Sequence, residues 1–225
     1  MLPFLLLFLF VRWDDILFAE KNTTHKNYFH AFYFICVWIW ELFLLSTAPW
    51  FSSLDSIWEP SDDTDYTSEL FQVQIVWYTH CLLESYVQDR SRKDFVMMMV
   101  HHAMSIVLIA GAWWTHNHRI GLLVCVEQDF TDIIINISKI LHKSVASKRV
   151  HTMCVVILSV SWFVTRIFLL GAIIVWSILY VNYSSSWLLA MLCVLWYMQV
   201  VWGVSMWRLT KTYFKQGIVK DECEE

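Results

Sequence analysis

The sequence predicts an all-α bundle of membrane-spanning helices, and three observations carry that expectation. The 225 residues are 58% hydrophobic and only 16% charged, with a mean hydropathy of +0.50. A soluble domain averages about 45–50% apolar and about 25% charged residues. The apolar residues fall in runs of about 20, the length that crosses a hydrocarbon layer about 30 Å thick. With 5 Gly and 3 Pro there is little material for sheet turns or flexible linkers. The net charge of −4 carries little, because charge in such a chain informs by its location.

Seven apolar stretches follow in order: 2–19, 28–49, 68–87, 95–114, 120–140, 152–178 and 186–208. The first ends abruptly at Arg12, Asp14 and Asp15. It suits a short span, an interfacial helix or an uncleaved anchor, and it lacks the basic start and cleavage site of a signal peptide. About seven spanning helices are therefore expected, or six if 2–19 lies on the surface. Three regions follow: 1–27 as an N-terminal hydrophobic segment and loop, 28–214 as the membrane domain, and 215–225 as a tail. Of the six cysteines, all but Cys223 sit in apolar runs and none forms a CxxC pair, so packed, reduced thiols are expected.

Lysine and arginine alternate between loops. Loop 13–27 holds Lys21 and Lys26, loop 88–94 holds Arg90, Arg92 and Lys93, and loop 141–151 holds Lys143, Lys148 and Arg149. The tail adds Arg208, Lys211, Lys215 and Lys220. The intervening loop 50–67 is acidic, with Asp55, Glu59, Asp62, Asp63 and Asp65, and 115–119 carries only Arg119. The positive-inside rule puts the basic set, and with it the C-terminus, in the cytosol. Of the two glycosylation sequons, Asn22 then faces the cytosol and Asn182 hugs the opposite membrane face.

Ionisable side chains deep in a span are costly and mark function by default. His101 and His102 lie six and seven residues into the 95–114 run, about 10 Å deep at a 1.5 Å rise. Asp132 is seven residues from the exit of the antiparallel 120–140 run, about as deep. Asp129 is one turn further in and on the same helix face. Hairpin topology alone thus brings an imidazole pair and a carboxylate pair to one level. Such a set suits proton transfer: a neutral imidazole accepts a proton from an attacking amine or hydroxyl, and a carboxylate behind it fixes the tautomer. Imidazole can also carry an acyl group covalently. The alternative is a structural polar knot between helices.

Other candidates carry less. His80 and Glu84 are one turn apart and read as a local pair. Glu127 and Gln128 add polarity beside Asp129. Arg166, mid-span, should face a carboxylate, a ligand or water, and a salt bridge to Asp129 or Asp132 is its structural reading. His116 and His118 flank a turn. No metal is expected: adjacent histidines point about 100° apart on a helix, and no HxxHH-type repeat accompanies them. No Gly-rich phosphate loop, nucleophile elbow or nucleic-acid motif is present. The Trp and Tyr residues read as interfacial belts.

Arg92-Lys93-Asp94-Phe95, His101-His102, Arg119-Ile120-Gly121, Asp129-Phe-Thr-Asp132 and Lys139 together resemble the Lag1 motif of ceramide synthases, members of the TRAM–Lag1–CLN8 membrane family. Ala48-Pro49-Trp50-Phe51, Thr165-Arg166-Ile167 and the tail Gly217-Ile-Val-Lys220-Asp221-Glu222 resemble further family segments. Gln128 stands where the family often has His. The resemblance implies N-acylation of a sphingoid base by a fatty acyl-CoA in the endoplasmic reticulum membrane, without a further cofactor. By position, His101, His102, Asp129 and Asp132 would be catalytic. Arg90, Arg92, Lys93 and Arg166 would bind substrate, and the bundle would enclose a lipid cavity open to the cytosol. Assembly as a homo- or hetero-oligomer stays open. The rival readings are a non-catalytic, lipid-sensing or translocon-associated relative, and a proton-coupled transporter, for which no inverted repeat is visible.

Overall fold

The computed structural model describes residues 23–52, 56–59, 65–145, 147–180 and 185–216. The apolar stretch 2–19, both sequons, Cys223 and the acidic tail lie outside them. Every regular element among the described residues is helical. In order they are α1 (Thr23–Thr47), a 3₁₀ turn (Pro49–Ser52), α2 (Asp65–Gln88), α3 (Phe95–Trp114), α4 (His118–Ser144), α5 (Lys148–Trp162), a π-helical segment (Phe163–Leu169), α6 (Leu170–Tyr180) and α7 (Ser186–Gln216). The segment from α5 to α6 runs as one rod.

The apolar runs locate these helices, but several helices outrun them. Hydropathy measures the slab a helix crosses, whereas backbone hydrogen bonding continues wherever each N–H finds a carbonyl four residues back. Thus α7 has 31 residues, about 46 Å at 1.5 Å per residue, against a hydrocarbon layer about 30 Å thick. Among the described residues four helices are long and apolar enough to cross a membrane: His25–Thr47, Phe95–Trp114, Lys148–Leu179 and Ser186–Gln216. The seven expected from the runs are not reached on this measure. Helices α2 and α4 have the length but carry the interior polar groups, among them Gln74, His80 and Glu84 on α2 and Glu127, Asp129 and Thr131 on α4.

Polarity is inverted relative to a water-soluble protein. Phe32, Phe43, Phe168, Val175, Leu179, Tyr197 and Trp207 face outward, while Glu41, Gln74, Asp129 and Gln199 are fully buried. An apolar exterior on this scale belongs in lipid. Inside, α1 packs along α4, and α2 packs along α3. A large apolar cluster joins Tyr33, Phe34 and Val37 of α1 to Leu70, Phe71 and Trp77 of α2 and Cys125 of α4. Tyr33 stacks flat on Trp77, with ring centroids 3.6 Å apart. A second cluster joins Leu170 and Ile174 to Leu192 and Leu195.

The α3–α4 hairpin closes in three residues, Thr115 to Asn117. His116 adopts a left-handed backbone, φ 55°. Asn117, 1% exposed, donates from Nδ2 to Thr115 Oγ1 at 2.6 Å and to Ser185 Oγ at 2.8 Å, tying the turn to the start of α7. Just inside it, Gly121 lies so close to Phe71 that a Cβ there would sit 2.7 Å from the ring. The described cysteines are all free thiols; Cys81 and Cys125 are packed as expected, whereas Cys36 is exposed.

Candidate active site

Helices α1, α2, α3, α4 and α7 and the π-helical segment each send polar side chains into the bundle interior. His101 and His102 project from α3 with ring centroids 5.4 Å apart. His101 is 9% exposed and meets the edge of Trp202 from α7 at 5.4 Å. His102 faces Tyr78 of α2 at 6.1 Å. The Nδ1 atoms of both histidines are buried without a hydrogen-bond partner. Ser105 donates to the His101 carbonyl at 3.0 Å, one turn on.

The two aspartates belong to separate sub-networks. Asp129 accepts a hydrogen bond from Gln74 Nε2 at 2.6 Å, and the same amide nitrogen donates to Glu41 at 2.9 Å. Tyr33 donates to Gln74 Oε1 at 3.2 Å, which fixes the amide's orientation. One neutral side chain therefore bridges carboxylates from α1 and α4. Asp132 pairs with Arg166 at 2.8 Å. The guanidinium also donates to the Gln128 carbonyl at 2.8 Å and lies 5.5 Å from the Trp162 ring.

Arg166 reaches this position because the rod widens to a π-helix across Phe163–Leu169. Such wide turns shift side-chain direction and leave carbonyls to be satisfied from outside. Trp196 Nε1 supplies one such bond to Ile167 O at 3.0 Å. The Thr131 and Thr165 hydroxyls meet at 2.5 Å between α4 and the π segment.

The hairpin geometry expected from sequence is thus altered in one respect. Among the described residues neither histidine hydrogen-bonds to Asp129 or Asp132. The reason lies in the packing: α3 lies chiefly along α2, and α4 along α1. Tyr78 of α2 stands beside His102, and Trp202 of α7 stands beside His101. Arg166, expected to bind substrate, engages Asp132 and the Gln128 carbonyl, which is its salt-bridge reading.

The basic loop between α2 and α3 lies at the same end of the bundle as the histidines. Arg90 covers the Tyr86 ring at 4.0 Å and donates to the Tyr86 carbonyl at 2.7 Å. Arg92 grips Asp94 with two bonds, 2.9 and 3.2 Å. Arg90 and Lys93 are exposed. At the opposite end a small apolar cavity of about 50 Å³ is walled by Leu108, Ala112, Ile120, Val124 and Leu188.

Sequence reading did not single out Glu41, Gln74, Tyr78 or His30. Glu41 was detectable as a lone carboxylate in the 28–49 run. Gln74, Tyr78 and His30 are ordinary residues for a span until helix packing gives them partners. His30 and His80, with Glu84, bring one metal-ligating atom each to within 4.8 Å of one another.

Comparison with known proteins converges on the same motif-bearing region. Residues 24–208 match the family model for the TLC domain, named for TRAM, LAG1 and CLN8. The chain belongs to the TLC-domain family. Its likeness to Lag1-type ceramide synthases also holds over most of its length. It is 25% identical over 203 residues to ceramide synthase 5 of Homo sapiens, covering 84% of this chain and 51% of that protein. It is 26% identical over 129 residues to the sphingosine N-acyltransferase lac1 of Schizosaccharomyces pombe, covering 55% of this chain and 34% of the relative. Over 70 residues it is 33% identical to ceramide synthase 1 of Mus musculus, covering 31% of this chain and 20% of that protein. The chain spans about half the length of the first of these relatives.

Proposed function

We propose that this TLC-domain protein is a ceramide synthase-type N-acyltransferase, moving a fatty acyl group from acyl-CoA to the amine of a sphingoid base. The observation that carries the reading is the imidazole pair, buried His101 and half-buried His102, set side by side in an otherwise apolar helix. The resemblance to ceramide synthases supplies the substrate classes.

In the proposed reaction the sphingoid nitrogen attacks the thioester carbonyl. The N–C bond forms, the C–S bond breaks, and an imidazole of the pair takes the proton that the nitrogen loses. That proton passes to the departing CoA sulfur, which restores the neutral imidazole. Asp129 and Asp132 act as supporting carboxylates: through Gln74 and Arg166 they set the charge and geometry of the layer behind the histidines. Arg90, Arg92 and Lys93 receive the CoA phosphates at the membrane surface, and the acyl chain lies among the helices. The protein is proposed to sit in the endoplasmic reticulum membrane with six or seven spans and a cytosolic C-terminus, 28–214 forming the membrane domain and 215–225 the tail. Assembly as a homo- or hetero-oligomer is compatible with the proposal.

The test is to incubate membranes bearing the full chain with sphinganine and a fatty acyl-CoA, and to measure ceramide by mass spectrometry. His101→Ala and His102→Ala are each expected to abolish product while the protein stays in the membrane. Full activity in both variants would refute the assignment. Substrate flux without an amide product selects a transporter, and neither flux nor product selects a non-catalytic relative. An acyl adduct on a peptide containing 101–102 would establish a covalent relay in place of direct transfer.

A further inference from the structure

A second cluster of chemically capable side chains shares no residue with the proposed acyl-transfer layer. His80 and Glu84 lie four residues apart on α2, so both project from one face. His30 comes to them from α1, with its Nε2 3.0 Å from Glu84 Oε2. One ligating atom from each of the three lies within 4.8 Å of the other two. The set is two imidazoles and a carboxylate, drawn from two helices.

Three features distinguish it from a simple ion pair. Glu84 is 1% exposed, and its Oε1 is buried without a hydrogen-bond partner. A buried carboxylate with an unused oxygen has capacity for a cation. The imidazoles are held by aromatic walls: His30 meets the edge of Trp77 at 5.0 Å, and His80 lies 5.5 Å from Trp77 and 6.0 Å from Phe29. Apolar shells of this kind orient metal-binding imidazoles and restrict water. Lys26, the present counter-charge at 3.3 Å from Glu84, has a second anchor in Asp89 at 3.1 Å, so it can yield Glu84 without losing its ion pair.

We propose that His30, His80 and Glu84 bind a single divalent transition-metal cation of the zinc class, with water in the fourth position. Zinc takes imidazole and carboxylate ligands at about 2.0–2.2 Å in tetrahedral array, which needs the three donors to draw in from their present spacing. His30 and Glu84 are already close enough. The residual motion is a side-chain adjustment at His80 and a shift of Lys26 toward Asp89. A bound cation ties α1 to α2 and raises stability by an amount that grows with the logarithm of free metal over its Kd. The absence of an HxxHH repeat was no guide here, because the first ligand lies 50 residues from the second and only packing unites them.

The experiment uses the full chain in lipid nanodiscs, stripped with a chelator, then titrated with Co2+ and monitored by visible absorption. A thermal unfolding scan with and without Zn2+ runs in parallel. Expected are one equivalent of Co2+ with the intense absorption of a four-coordinate site, displacement by Zn2+, and a higher melting temperature with metal. His30→Gln, at a side chain 13% exposed, is expected to weaken binding by at least about 10–100-fold, the effect that even outer-sphere partners have on metal affinity. Lys26→Met removes the competing ammonium, and tighter binding is expected. Equal metal binding by the parent and His30→Gln overturns the proposal, as does absence of saturable binding by the parent. Should His30→Gln fail to fold, weaker Co2+ binding by a folded Lys26→Met protein overturns it instead. None of these readouts depends on acyl transfer.

Discussion

Replacing Asp132 by Asn removes the carboxylate that neutralises Arg166 while leaving the guanidinium where it is. Arg166 is 2% exposed, and its remaining bond is to the Gln128 carbonyl at 2.8 Å. Its Nε is already buried without a partner. An uncompensated buried charge of this kind costs about 3–5 kcal/mol when its partner is deleted. For a chain of this size that corresponds to a fall of about 6–20 °C in melting temperature, at about 2–4 °C per kcal/mol. The reverse deletion, Arg166→Met, is expected to cost less. It strands Asp132, but a carboxylate can take up a proton and become neutral, whereas the guanidinium stays charged. The double variant removes both charges and should recover much of the loss, a coupling of at least about 0.5 kcal/mol in a double-mutant cycle. Thermal unfolding of the four proteins in the same nanodiscs measures all three quantities. Additive losses, or Arg166→Met as the more damaging change, would refute the reasoning, because either result means that Arg166 is hydrated or paired elsewhere.

Three further outcomes follow from local geometry. Gln74→Leu deletes the amide that bridges Asp129 and Glu41, leaving two buried carboxylates to face each other. A loss of at least about 1–3 kcal/mol is expected, more because both acceptors are acids, and it is measured by the same melting scan. Gly121→Ala drives a methyl to within 2.7 Å of the Phe71 ring, which is fully buried. It should cost about 1–3 kcal/mol, with partial rescue by Phe71→Leu. At the α4–α5 turn, partial burial, together with the nearby His151 and Lys143, holds the His142 imidazole below its ordinary value of 6.5. The unfolded chain then binds the proton first as acidity increases. Stability from this group is therefore present above pH 6.5 and declines as pH falls below that value. The pH slope of melting should shrink in His142→Gln, and an unchanged slope would contradict the assignment.

The helical class and the positions of the described spans were legible in the runs of apolar residues, since a 20-residue run leaves few alternatives to a helix in lipid. Helix α3 coincides with its run, Phe95–Trp114, because polar loops bound it closely on both sides. Helices α2 and α4, expected as spans from runs 68–87 and 120–140, are not among the four long and apolar enough to cross a membrane. Their polar faces lower the mean apolarity, and those faces hold the site. The Arg166–Asp132 pair was also foreseeable, as a charge in mid-span must find its counterpart. The partner of Asp129 was not, because Gln74 is a neutral residue 55 positions away and nothing in its own neighbourhood marks it.

By itself the sequence determined an inside-out helical bundle, a histidine pair and an aspartate pair at similar depth, and the motif that ties the chain to its family. These are consequences of composition and of rise per residue, which act locally. Only the tertiary structure decided which helices touch. Because α1 lies against α4 and α2 against α3, Gln74 bridges Glu41 and Asp129 with Tyr33 bonded to it, Tyr78 stands beside His102, and His30 joins His80 and Glu84. Side-chain partnership across helices depends on rotation and crossing, and hydropathy contains neither.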